Sequence, residues 1–367
     1  MQTANIFEIP NLRPLGRIDR ECAERESVLP LFWACSGLEL QYTGTALEVL
    51  LEADYDLKEP WLAVDLNGAP VIRMPVPRGE SAVQLFQGMT AGRVKHVRLW
   101  KDTQPMAQDG DVRHHLRIRG LRWKGGKFLP LPEPKCRLEF IGDSLTSGEG
   151  LVGAKEEVDW TPVLFSASQG WPRMTADALS ADFRLISQSG WGIRSSWDNV
   201  PSHALPDWYD RVCATADGES DLPLGSQSPN DFAAWKPDAV FINLGTNDAG
   251  AMTISAWHGP SGERFKQEDT PQCRRLIEDA ALAFLHKLRR LNPQAKLIWA
   301  YGMCGDTLRP QLENAVQRFR EETGSQDAYY LPLPSMTDET AGSRQHPGPE
   351  NHREAAEAAA ALLREIL

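Results

Sequence analysis

The sequence predicts two domains of different class: an N-terminal β-sandwich of the jelly-roll kind over residues 1–130, then an α/β domain over 136–367 built on a parallel sheet. Two changes of pattern carry that reading. Up to about residue 128 apolar and polar residues alternate with period two, the mark of half-buried strands. Beyond the proline-rich link Leu129-Pro130-Leu131-Pro132-Glu133-Pro134-Lys135, continuous apolar runs alternate with helical stretches, the mark of a buried parallel sheet covered on both faces. Proline suits neither a helix interior nor a central strand, so the link is the natural boundary.

In the first region Leu38, Leu40 and Tyr42 alternate with Glu39 and Gln41, and Leu47, Val49 and Leu51 with Glu48 and Glu52. Asn67-Gly68 after the run Trp61 to Leu66 is a two-residue hairpin signal. Val97 and Leu99, then Leu116 and Ile118, continue the alternation, and no amphipathic helix is expected to interrupt it. Short strands separated by turns imply two sheets face to face. In the second region strands are expected at 138–141, 183–186, 239–244, 296–301 and near 329–331, with clear helices at 274–291 and 353–367. The stretch from about 211 to 235, rich in Ser, Asp, Gly and Pro, reads as a mobile surface excursion.

A chain of 367 residues with 41% apolar and 24% charged residues is globular rather than fibrous or disordered. Its formal net charge of −11 and scattered basic residues argue against a nucleic-acid partner. No run approaches the roughly 18 apolar residues that span a bilayer. The first residues carry no export signal, so the chain as written reads as cytoplasmic, or as secreted if a leader has been trimmed. Six cysteines, with no paired spacing, read as free thiols rather than metal ligands or disulfides, and neither a metal nor another cofactor is expected. Most of the twelve tryptophans are expected in the core, although some could stack on sugar rings.

In an α/β fold, reactive residues sit just after the strand ends. Gly142-Asp143-Ser144-Leu145-Thr146 follows the first strand of the sheet and places a hydroxyl there. A serine needs a base to take its proton, and His346, in Gln345-His346-Pro347-Gly348 between the last strand and the last helix, returns to the same edge. Donors for a developing oxyanion are available from the N–H of Ser144, the N–H of Gly190 after the second strand and the side-chain amide of Asn247 after the third. Trp191, Trp257 and His258 are candidates to line a pocket. Asp143 and Asp248, beside these residues, are expected to hold tight loops rather than to react, and His352 to belong to the start of the last helix.

The order of these four blocks resembles the SGNH (GDSL) hydrolase superfamily over residues 137 to 367. The preceding β-rich half makes the chain similar to carbohydrate esterase family 2, in which a jelly-roll domain precedes the hydrolase. The resemblance implies a flavodoxin-like three-layer catalytic domain, Ser144 as nucleophile, His346 as base, Gly190 and Asn247 in the oxyanion hole, and removal of acetyl groups from mannan or xylan oligosaccharides. One departure stands out: many superfamily members have Asp three residues before the histidine, where this chain has Ser343. A Ser-His dyad steadied by a backbone carbonyl is therefore expected, with Asp338 or Glu339 as the alternative acids. The competing functions are a lipase, lysophospholipase or thioesterase on the same fold, and a carbohydrate-binding protein that has lost turnover.

Overall fold

A computed structural model describes residues 1–367. The chain folds into two compact units, one of Met1–Glu133 with Thr161–Val163 and Asp210–Asn230, the other of Pro134–Trp160, Leu164–Tyr209 and Asp231–Leu367. The division is thus discontinuous in sequence, unlike a single cut at the proline-rich link. No helix is long and apolar enough to cross a membrane.

The first unit has two antiparallel sheets. One runs Gln2–Asn5, His115–Lys124, Ala46–Asp54, Gly79–Phe86; the other Phe128–Leu129, Gly37–Tyr42, Lys95–Lys101, Trp61–Leu66, Ala69–Pro75. Apart from the hairpin Trp61–Leu66 with Ala69–Pro75, successive long strands pass from one sheet to the other, and both sheets line one apolar core containing Leu38, Leu40, Val49, Leu51, Leu62, Val64, Val97, Leu99 and Ile118. Period two is what sends these residues to one face. A bulge between Ile118 and Gly120 flips the phase, so that Leu116, Ile118 and Leu121 all reach the core despite the odd spacing. Asn67 and Gly68 both have positive φ, 55° and 82°, as the tight hairpin requires.

Two expectations for this unit need correction. A helix, Arg20–Glu26, does interrupt the strands; at seven residues it is too short to show periodicity, and Asp19 caps it by accepting from the Cys22 N–H. The polar stretch after residue 210 is not a mobile excursion either, because its carbonyls are taken up by side chains of the same unit. Trp33 Nε1 donates to Val212 O at 2.7 Å, Arg17 to Arg211 O at 3.0 Å and Arg117 to Ser220 O at 2.7 Å. Val212, Cys213, Thr215, Leu224 and Ser226 are buried. Composition could not show this, since the donors lie about 100 to 200 residues away.

The second unit holds a five-stranded parallel sheet, here β1 (Arg137–Gly142), β2 (Asp182–Ser187), β3 (Ala239–Asn243), β4 (Lys296–Tyr301) and β5 (Ala328–Pro332), in the order β2-β1-β3-β4-β5. All five expected strands are present, and β1, β3 and β4 are almost wholly buried because neighbours flank them on both sides. Helices Trp171–Leu179, Pro271–Leu291, Arg309–Thr323 and Pro349–Ile366 accompany it.

Trp33→Ala removes both the ring and the bond to Val212, and should cost about 3–5 kcal/mol of stability in denaturant unfolding. It should also open protease cleavage within 210–230. Trp33→Phe, which loses chiefly the hydrogen bond, should cost about 1–2 kcal/mol and leave that segment protected.

Candidate active site

Parallel register aligns the carboxyl ends of the three central strands: Gly142 pairs with Ser187 on one side and Asn243 on the other. Beyond Gly142 the chain turns at Asp143 into a single helical turn, Ser144–Ser147. A Cβ at position 142 would stand 2.1 Å from Thr146 Oγ1, so only glycine lets the turn close on the strand. The turn is fastened from both sides. Thr146 Oγ1 donates to Asn243 Oδ1 at 3.1 Å, Ser147 Oγ donates to Ser187 Oγ at 2.9 Å, and Asn243 Nδ2 donates in turn to Ala300 O at 2.9 Å. Ser144 is thereby held at the sheet edge with 6% of its surface exposed.

His346 Nε2 lies 3.0 Å from Ser144 Oγ, and its Nδ1 lies 2.8 Å from the carbonyl oxygen of Arg344. A carbonyl can only accept, so Nδ1 carries the ring proton and Nε2 offers its lone pair to the serine hydroxyl. That tautomer is the one able to take the hydroxyl proton. The turn that delivers the carbonyl is strained: Arg344 and Gln345 have φ of 57° and 58°, which costs a non-glycine residue roughly 1–2 kcal/mol each. Hydrogen bonds from the Ser343 N–H to Gly150 O (2.9 Å) and from the Arg344 N–H to Glu157 O (2.7 Å) hold it, with Gly342 N–H to His346 O (2.7 Å) closing the loop. Gly150 must be glycine, because a Cβ there would come within 2.5 Å of His346 Cβ.

No carboxylate reaches Nδ1. Ser343 is fully buried, and its hydroxyl donates to Val152 O at 2.9 Å. Asp338 pairs with Lys155, and Glu339 accepts from the Thr337 hydroxyl; both are exposed and neither touches His346, so the alternative acids are set aside. Sequence reasoning missed Glu149, 3% exposed, whose Oε1 lies 2.7 Å from Arg344 Nε and 3.9 Å from His346 Nε2. Only its place between two glycines of positive φ, Gly148 and Gly150, sets it apart in the sequence.

Gly190 has φ of 79°, and its N–H takes no partner within the chain. Asn247 Nδ2 donates to Asp143 Oδ2 at 3.1 Å and to Trp191 O at 2.8 Å, which fixes the plane of the amide. Asp143 also accepts from the Leu145 N–H, and burial pushes its carboxyl up to about 8, with the charges of Asp248 and Glu149 adding to the effect. Asp248, whose carboxyl burial also raises, accepts from the N–H groups of Ile193 and Arg194 and from Gln267 Nε2, at 2.7, 2.9 and 3.0 Å. Both aspartates are loop clamps.

Among the aromatic candidates, Trp191 needs correction. Only 2% of it is exposed, since its ring stacks on His203 at 4.6 Å and meets Trp208 edge-on at 5.0 Å; its carbonyl, not its ring, serves the site. Trp257 and His258 form one strand of a small hairpin with Arg264–Phe265, and no contact brings them to the dyad. The ring that does stand there is Trp197, 52% exposed, so close to Gly190 that a Cβ on the glycine would lie 3.1 Å from it. His352 lies in the first turn of Pro349–Ile366, where its Nδ1 accepts from the Trp171 N–H at 3.1 Å; burial, aided by His346, pushes its imidazole down to about 3.

Residues 140–356 match the model of the GDSL-like Lipase/Acylhydrolase family. The chain is similar along its whole length to the solved acetyl xylan esterase Est2A from the rumen bacterium Butyrivibrio proteoclasticus, at 37% identity and a TM-score of 0.94, covering 98% of that chain. A family two carbohydrate esterase from Clostridium thermocellum, solved in complex with cellohexaose, shares 25% identity and a TM-score of 0.80, with 97% of this chain and 98% of that one covered. The cellulase/esterase CelE of Acetivibrio thermocellus is 31% identical over 217 residues, 59% of this chain; the chain spans only 24% of that longer protein.

Two predictions follow from these contacts. An acid at 343 would face carbonyl oxygens in a buried pocket, so Ser343→Asp should lose about 3 kcal/mol or more in thermal or denaturant unfolding instead of completing a triad. His352 has a folded pKa below its unfolded value near 6.5, so the stability it leaves intact at neutral pH is lost progressively as pH falls from 6.5 toward 3. Its share at pH 5 is roughly 2 kcal/mol. His352→Gln, which keeps an acceptor for Trp171, should flatten the unfolding-versus-pH curve across that window.

Proposed function

Because the chain belongs to the GDSL-like lipase/acylhydrolase family, we propose that it is a serine esterase that removes O-acetyl groups from oligosaccharides derived from mannan or xylan. The observation that carries this reading is the Ser144–His346 contact, with Arg344 O on the far nitrogen of the ring. Ser144 Oγ attacks the acetyl carbonyl carbon while its proton passes to His346 Nε2. The resulting oxyanion is met by the N–H groups of Ser144 and Gly190 and by Asn247, one of whose N–H groups exchanges Trp191 O for the oxyanion while the bond to Asp143 keeps the amide in place. Each such donor contributes on the order of 2.7–4 kcal/mol to the transition state. His346 then gives the proton to the departing sugar oxygen, which leaves as the free hydroxyl; water, deprotonated by the same nitrogen, attacks the acetyl carbonyl of the acyl-enzyme, and the proton passes to Ser144 Oγ as acetate leaves.

The sugar part of the reading is supported by the full-length likeness to an acetyl xylan esterase and by the cellohexaose held in a related esterase. Trp197 supplies an exposed aromatic face beside Gly190, suited to the apolar side of a pyranose ring. The N-terminal strand order, in which all long strands but the hairpin Trp61–Leu66 with Ala69–Pro75 alternate between two sheets, supports reading that unit as the jelly roll that accompanies such esterases.

Acetate release from acetylated xylan and glucomannan oligosaccharides tests the proposal. Wild type should be active, and Ser144→Ala and His346→Ala should each fall by on the order of 10³-fold or more. Full activity in Ser144→Ala would end the serine reading; a preference for octanoyl over acetyl nitrophenyl esters would replace the sugar substrate with a lipid. Trp197→Ala should raise KM for oligosaccharides by roughly 3- to 10-fold, the worth of one aromatic contact, while sparing turnover of p-nitrophenyl acetate.

A further inference from the structure

Glu149 and Arg344 together touch both ends of the imidazole. Arg344 O accepts from the Nδ1 side, and Glu149 Oε1 stands 3.9 Å from Nε2. The two residues are joined to each other by the 2.7 Å bond from Arg344 Nε to Glu149 Oε1. They are also tied to the nucleophile, since the Glu149 N–H donates to Ser144 O at 3.0 Å. Arg344 is held at further points: its Nη1 donates to Val158 O at 2.5 Å and its N–H to Glu157 O.

We propose that Glu149 is a positioning residue that supplies the counter-charge a triad acid would provide, delivered at Nε2 and coupled through Arg344 to the carbonyl at Nδ1. The inference rests on the Ser144–His346 reading. A neutral imidazole gains little from a carboxylate at that distance. Once the Ser144 O–H bond breaks and the Nε2–H bond forms, the ring carries a positive charge beside Glu149. The attraction therefore belongs to the charged state alone, which is the condition for accelerating the step. Arg344, itself the left-handed residue whose carbonyl selects the tautomer, holds the Glu149 carboxylate in place through Nε. Other titratable groups face this region: Asp143 at the end of β1 and Cys304 after β4 both sense Glu149, and His352 on the last helix senses His346. None of them contacts the ring.

The test is the pH profile of kcat and kcat/KM for p-nitrophenyl acetate with the full-length wild type, Glu149→Gln, Arg344→Met and Ser144→Ala, with thermal melts of each. Glu149→Gln keeps an acceptor for Arg344 and removes only the charge. Its kcat should fall on the order of 10-fold or more with KM little changed, and its acid limb should move to lower pH by about half a unit or more. Arg344→Met uncovers the Glu149 charge, so its acid limb should move to higher pH. Limbs that stay in place in both variants, even with lost activity, would reduce the pair to scaffolding and overturn the inference. Should Glu149→Gln not fold, the direction of the Arg344→Met limb decides alone. Activity retained in Ser144→Ala would instead overturn the dyad, which separates that failure from this one.

Discussion

The bond from His346 Nδ1 to the carbonyl of Arg344 is the constraint on which the reactive edge depends. It decides the tautomer, and through the tautomer whether Nε2 can accept the proton of Ser144. To place that carbonyl the chain accepts two consecutive left-handed residues, Arg344 and Gln345. Strain of that kind persists only where the surroundings over-determine it. Here they do: backbone bonds to Gly150, Glu157 and His346 and the side-chain bonds of Arg344 leave the turn no relaxed alternative.

The opposite side of the site is organised by buried acids. Asp143, Glu149 and Asp248 all lie in the interior at the carboxyl edge of the sheet. Burying carboxylates is costly unless donors compensate, and each has them: Leu145 and Asn247 for Asp143, Arg344 for Glu149, and two backbone N–H groups with Gln267 for Asp248. The same donors are what the site needs held still. Asp143 fixes the amide of Asn247, and Asp248 fixes the loop that follows Gly190. Satisfying the acids and fixing the proposed oxyanion donors are one set of contacts.

Much of this was legible in the sequence because it is local. Period-two alternation marked the strands of the two antiparallel sheets, continuous apolar runs marked all five strands of the parallel sheet, and candidate residues at strand ends follow from the topology of α/β folds. That a backbone carbonyl and not an acid meets His346 Nδ1 could be anticipated because Ser343 occupies the place of the expected acid. What escaped depends on long-range pairing or on chains too short to be periodic. The segment after residue 210 looked solvent-exposed because its hydrogen-bond donors lie in the first 120 residues. The helix Arg20–Glu26 spans under two turns. Trp191 and Trp197 are six residues apart in one loop, and nothing in composition tells which ring is stacked beneath and which faces outward.

A dyad of this construction differs from a triad in one electrostatic respect. A carbonyl orients an imidazole as well as a carboxylate does, but it carries only a partial charge, so it cannot balance the imidazolium that the proposed mechanism forms when Ser144 gives up its proton. The counter-charge must come from another direction. Nothing on the Nδ1 side can provide it, since Ser343 is neutral and Asp338 and Glu339 stand in solvent. On the Nε2 side Glu149 is in range, held by the arginine that also presents the carbonyl. Orientation and charge compensation, which one aspartate performs in a triad, are thus divided between a backbone atom and a side chain linked through Arg344. The division places the compensating charge on the face of the ring where the proton arrives.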